Sequence, residues 1–177
     1  MLTSVSIRSL ITLAALALLL AVTSACGDGD ASEGDGGATA PVPTATVVVH
    51  FAGASGELVA EEREVPADVP AARAALDALA SGPADPDLIP ALSTGTRILG
   101  VEVADEVVRV DLSAEFESGY PPGGAAAEQA VLGPLVRTAT AAAGVPAALI
   151  TVDGRVPQPV GTQFDLSLPL TPGDVGL

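Results

Sequence analysis

Beyond residue 45 the apolar positions follow one simple order of elements. Thr46–Phe51 (TVVVHF) is a short apolar run with a high β-propensity and reads as a buried strand. Gly53, Ser55 and Gly56 supply a turn, and Leu58–Val65 follows as a weaker strand with charged residues interleaved. Pro70–Ser81 (PAARAALDALAS) changes to helical spacing. Asp68 and Pro70 suit its start, Ala72, Ala75, Leu76 and Leu79 form its apolar stripe, and Gly82-Pro83 stops it. A loop rich in Pro, Asp and Ser runs to Gly95.

Thr96–Leu112 predicts a hairpin with Asp105-Glu106 at its tip. That register opposes Val103 with Val108, Val101 with Val110 and Leu99 with Leu112 on one face, and Glu102 with Arg109 on the other. Ala125–Ala143 is a second helix with Val131, Leu135 and Val136 as bulky apolar positions. Gly133-Pro134 inside it should kink it or mark its true start, and Gly144 ends it. Ala148–Val152 reads as a buried strand turned by Asp153-Gly154. Phe164, Leu166, Leu168 and Leu170 alternate with polar residues as a final half-buried strand. The order β-β-α-β-β-α-β-β implies an α+β domain with two helices on a small mixed sheet. The right-handed crossover rule lays Ala148–Val152 parallel to Val107–Leu112 or a near neighbour.

The N-terminal part carries a different pattern. After Met1–Ser9, whose one charged side chain is Arg8, Leu10–Val22 is apolar except for Thr12. At 1.5 Å per residue it reaches about 20 Å, short of a hydrocarbon core of roughly 30 Å, so it reads as an export signal over residues 1–25. Thr23-Ser24-Ala25-Cys26 resembles a bacterial lipobox, with Thr23 where Leu is usual. The resemblance implies a lipid on the Cys26 thiol, cleavage before it, and a palmitate-bearing membrane anchor. The alternative is an ordinary secretory signal followed by a stray thiol; the lone Cys at the junction favours lipidation. Gly27–Thr44 has Val42 as its only sizeable apolar residue and reads as a disordered, acidic linker with an r.m.s. span of roughly 23 Å. Its acids, Asp28, Asp30, Glu33 and Asp35, would repel anionic lipid, or could hold calcium. The domain is expected over 45–171 and a tail over 172–177.

Composition narrows the chemistry. All 7 basic residues are Arg, against 22 acids, for a net charge of −15. One His and one Cys cannot build a four-ligand N/S metal shell, and Lys-dependent phosphate loops or Schiff bases have no Lys. Nucleic acid lacks the basic face it needs. A Ser–His–Asp triad would depend wholly on His50, with no Gly-x-Ser-x-Gly elbow present, and His50 alternates with Val49 and Phe51 as a structural strand residue would. Asp111, Ser113 and Asp153 could form an acidic metal or sugar site, or simply cap their turns. Asp85-Pro86-Asp87 lacks the spacing of a calcium loop. Arg137-Thr138 reads as a snorkelling, hydrogen-bonded surface pair rather than an anion site. No catalytic residue, metal ligand or cofactor is assigned.

Several segments in this order resemble the GerMN domain, named from a sporulation and germination protein. They are VVVHF at 47–51, LASGP at 79–83, STGTRILGVEVADEVVRVDLSAEF at 93–116, EQAVLGPLVRTATAAAGVPAALITVDG at 128–154 and FDLSLPL at 164–170. The sequence departs from the family at Glu106, where the hairpin tip usually has Gly, at Gly133-Pro134, and at His50, where an aromatic is common. The resemblance implies a fold like the ring-building motif of secretion-apparatus proteins, with two helices on one face of a small sheet. It implies a non-enzymatic envelope lipoprotein on the extracytoplasmic face of the cell membrane, joined to a protein partner in sporulation, envelope assembly or sensor-kinase modulation. The Lys-free, Arg/Ala/Gly-rich composition suits an actinobacterium. The interaction would use an exposed strand edge or the helix face. The alternative is a ligand-binding module for a cation or a cell-wall fragment, and a hydrolase comes third.

Overall fold

The computed structural model describes residues 42–122, 124–157 and 163–176; the signal segment, Cys26 and the linker up to Pro41 lie outside them. The domain orders its elements as β1 (Thr44–Ala52), β2 (Leu58–Pro66), α1 (Ala71–Ala80), β3 (Ile98–Ala104), β4 (Val107–Leu112), α2 (Glu115–Ser118), α3 (Ala125–Ala143) and β5 (Ala147–Val152). The sheet is divided in two: β1 and β2 form an antiparallel pair, and β3-β4-β5 form a mixed sheet with β4 and β5 parallel, as the crossover rule predicts. α1 and α3 pack on each other and on strands of both sheets. This is the expected α+β class, with the short α2 as a third helix that the pattern of apolar residues did not announce.

β1 is buried on one face only. Val47, Val49 and Phe51 enter the core while Val48 remains exposed, so the run of valines conceals a two-residue period. β2 shows why its signal was weak: Glu61 and Arg63 stand on the inner face opposite Val49 and Val47. They are joined to each other, the Arg63 guanidinium lies 5.8 Å from the centre of the Phe51 ring, and it donates to Gly82 C=O at 3.2 Å. Burial pushes the Glu61 carboxyl up, but N–H groups of Ala84 and Asp85, both at 3.1 Å, with Arg63, hold it below the usual range.

The hairpin has the predicted tip and the predicted Val103–Val108, Val101–Val110 and Glu102–Arg109 pairs. Asp105 and Glu106 take φ of +50° and +61°, the left-handed geometry of a two-residue turn that matches strand twist. Leu99 does not face Leu112. A bulge between Ile98 and Gly100 inserts one residue, so Ile98 pairs with Leu112 inside and Leu99 is turned outward.

α3 has the predicted ends and runs unbroken through Gly133-Pro134; neither marks its start. Pro134 removes one N–H, a loss of about 3 kcal/mol in an exposed helix, but here Leu132, Leu135, Val136 and Pro134 itself are buried. Gly144 ends the helix at φ +68°, and Val145 N–H returns to Thr140 C=O at 3.1 Å.

The final strand is not formed. Asp165 Oδ1 accepts from the N–H of Ser167 at 2.9 Å and from its hydroxyl at 2.6 Å, so a side-chain turn replaces the extended backbone. Leu168 is exposed, and only Leu170 reaches the sheet, exchanging two 2.8 Å backbone bonds with Ala148. The segment beyond Thr171, expected as a tail, contributes Val175 to the core.

Candidate interaction surface

The sequence-predicted site residues do not converge. Asp111 Oδ1 accepts from Thr151 Oγ1 and from Gly154 N–H, both at 2.8 Å, tying β4 to the turn that follows β5. Ser113 Oγ accepts from Arg97 N–H at 3.0 Å while its own N–H goes to Arg97 C=O at 3.0 Å, fixing the foot of the hairpin. Asp153 occupies a left-handed turn position with φ +48° and donates its N–H to Leu112 C=O at 2.9 Å. Asp85 accepts from Asp87 N–H at 2.9 Å. Each of these is a local cap or strap.

His50 sits on β1, half-buried. Its N–H donates to Thr138 Oγ1 at 2.9 Å, and burial first, then the nearby Arg137 guanidinium, lowers the imidazole pKa below its usual 6.5. His50, Glu57, Arg137 and Gly176 line an open cleft of about 500 Å³. Gly53-Ala54-Ser55-Gly56 is a turn, closed by Gly53 N–H to Glu57 C=O at 2.8 Å. Arg137 is exposed as expected, but Thr138 is fully buried. The expected surface pair is therefore split: Thr138 is the residue of α3 that takes up the outward N–H of His50 on β1.

Two further buried polar groups have no signature in the sequence pattern. Glu128 on α3 is fully buried and accepts from Gln163 N–H at 3.3 Å. The Tyr120 ring packs edge-on to Phe116 at 5.4 Å, and burial, with the Glu128 charge, raises its hydroxyl pKa. Both sit where apolar neighbours predict only core.

What the structure brings to the surface is a strand edge. In an antiparallel pair, alternate residues turn their backbone groups inward to the partner and outward. The bonds Gly53–Glu57 and Ala67–Pro43, at 2.8 and 2.9 Å, fix the inward set as the odd-numbered residues. On β1 two of the outward groups are taken up, His50 N–H by Thr138 and Ala52 C=O by Ile89 N–H at 2.8 Å, while those of Thr46 and Val48 bond to no described residue. On β2 the outward N–H and C=O groups of Ala60, Glu62 and Glu64 bond to no described residue. Beside this open edge, β2 and α1 enclose a largely apolar groove of about 400 Å³ lined by Arg63, Val65, Val69, Ala74, Asp77 and Ala78.

The Germane family model, described as sporulation and spore germination, matches residues 48–157. A crystal structure of a candidate lipoprotein from Clostridium perfringens is 26% identical, with a TM-score of 0.53 over 74% of this chain and 89% of that one. The tandem GerMN domains of the sporulation protein GerM from Bacillus subtilis give 18% identity and a TM-score of 0.56, over 72% of this chain and 44% of theirs. The first of those domains alone gives 20% and 0.52, over 63% of this chain and 85% of that one. No curated protein matches the chain at a significant level. The matching segment spans β1 to the turn after β5, which includes the straps at Asp111 and Thr138 and the open edge of β2, and the chain belongs to the Germane family of sporulation and spore germination.

Proposed function

We propose that this chain is a non-enzymatic, lipid-anchored protein of the bacterial envelope whose domain is a protein-interaction module, held at the extracytoplasmic face by Cys26. The observation that carries the interaction reading is the run of open backbone groups along β2 beside an apolar groove. The edge of β1 is occupied at His50 and Ala52 by Thr138 and Ile89, while that of β2 keeps the outward groups of Ala60, Glu62 and Glu64 beside an apolar groove. Strand addition at such an edge supplies affinity through main-chain bonds and selectivity through side-chain pockets. The acidic-ligand alternative loses its best candidate, because Asp111 Oδ1 is already engaged by two donors.

The anchor reading draws on the short apolar segment before Thr23-Ser24-Ala25-Cys26 and on the likeness to the candidate lipoprotein. No helix among the described residues is long and apolar enough to cross a membrane. Palmitate labelling should follow the protein and vanish in Cys26→Ala; labelling that persists in the variant refutes the anchor. A photo-crosslinking residue at position 62, irradiated in intact cells, should capture a protein. Recovery of lipid alone refutes the interaction reading.

A further inference from the structure

We infer that the open edge of β2 receives an extended basic segment of a partner protein, with Lys or Arg at alternate positions and apolar residues between them. The inference rests on reading that edge as an interaction site and adds the chemistry of what docks there. β2 shows the incoming strand two different sides. On the outer side stand Glu62 and Glu64, beside Val48 and Thr46 of β1. On the inner side the groove between β2 and α1 offers Val65, Val69, Ala74 and Ala78. Because side chains alternate across a strand, a docked segment would place every second residue against the glutamates and the others over the groove.

The charge around the edge is uncompensated. The two cations nearest the groove are engaged by their own acids, Arg63 with Glu61 and Arg73 with Asp77 at 2.7 Å. Glu62, Glu64 and Asp68 make no hydrogen bond or ion pair with any described residue. The same glutamates disfavour pairing of this edge with another copy. A second chain of net charge −15 would set like charges opposite one another, whereas a basic strand would meet complementary ones. The largely apolar lining of the groove favours uncharged side chains there, which leaves the positive residues for the outer side.

The test uses the full chain in uncharged detergent and a fluorescent peptide of about nine residues alternating Lys and Val, long enough to cover β2. Two companion peptides carry Glu in place of Lys, or N-methyl groups on alternate backbone nitrogens. Anisotropy should show the Lys–Val peptide binding at least about tenfold more tightly than either companion. Hydrogen exchange across 58–66 should slow on binding. In Glu62→Lys/Glu64→Lys the preference should switch to the Glu–Val peptide. Glu62→Pro, which removes only an outward N–H and so spares the β1–β2 ladder, should weaken binding. Equal binding of the N-methylated peptide, an unchanged preference in the double variant, or no binding up to about 1 mM would overturn the inference. If a protein is captured at position 62 in cells while the Lys–Val peptide fails, the basic-strand chemistry is wrong and the interaction module stands. If neither is seen, both fail.

Discussion

Replacing Asp111 by Ala should destabilise the domain by about 2 kcal/mol. The carboxylate oxygen accepts two 2.8 Å bonds, one from the hydroxyl of Thr151 and one from Gly154 N–H. Thr151 is buried, so its hydroxyl would lose its acceptor with little access to water; Gly154 is exposed, and water can replace that bond. A buried donor left unsatisfied costs roughly 1–3 kcal/mol, the exposed bond adds little, and about 2 kcal/mol corresponds to a Tm lower by about 6–8 °C in a domain of this size. Asp111→Asn keeps a carbonyl acceptor and should fall by about half as much. Pairing Asp111→Ala with Thr151→Val should give a coupling energy of about 1 kcal/mol. Calorimetric melts in the presence and absence of calcium decide the matter. If Asp111→Ala melts within about 1 °C of the parent, the strap contributes nothing. If calcium raises the parent's Tm and not the variant's, Asp111 is a ligand after all.

Three other outcomes follow from individual residues. Glu106→Gly should raise Tm by a few degrees, because Glu106 holds φ +61° at the second turn position, where Asp-Gly is preferred; relief of about 0.5–1 kcal/mol is expected, and a lower Tm would contradict it. Thr138→Val should lower stability by about 1–2 kcal/mol in urea unfolding by removing the acceptor for His50 N–H, with Thr138→Ser close to the parent; equal loss in both would point to packing instead. The lowered His50 pKa means that the folded chain takes up its proton less readily than the unfolded one. Stability should therefore fall as pH drops below about 6.5 toward the folded-state pKa, a slope that His50→Gln removes and that precedes the carboxylate transitions nearer pH 4. An unchanged slope in His50→Gln would show that other groups carry it.

Much of the fold is legible in the sequence because periodicity and turn chemistry agree. The Asp105-Glu106 register satisfies both faces of the hairpin at once, and Gly144 marks the end of α3 by the conformation it has to adopt. The failures have local causes. The bulge that turns Leu99 outward leaves no mark beyond Gly100, a residue equally at home in a regular strand. Phe164–Leu170 has a strand's alternation, but Asp165 satisfies its neighbours through its own side chain, a competition that alternation cannot reveal. Gly133-Pro134 has the local signature of a break, and the burial that offsets it comes from elements distant in the chain.

The candidate surface is hidden for a deeper reason. Whether a group on a strand edge is open or taken up depends on what another element does, and the residue that takes up His50 N–H on β1 lies 88 positions away on α3. Read locally, Arg137-Thr138 is one polar step on a helix; in the fold Arg137 remains outside beside His50 while Thr138 turns inward as an acceptor for β1. The interleaved charges of β2 have the same double meaning. Glu61 and Arg63 are structural, spent on each other and on the loop at 82–85, whereas Glu62 and Glu64, one pleat out of phase, have no described partner. A one-residue slip of β2 would exchange the two sets and place the open edge beside a neutralised ion pair. The register that buries Val65 is thus also what leaves the uncompensated acids on the face available to a partner.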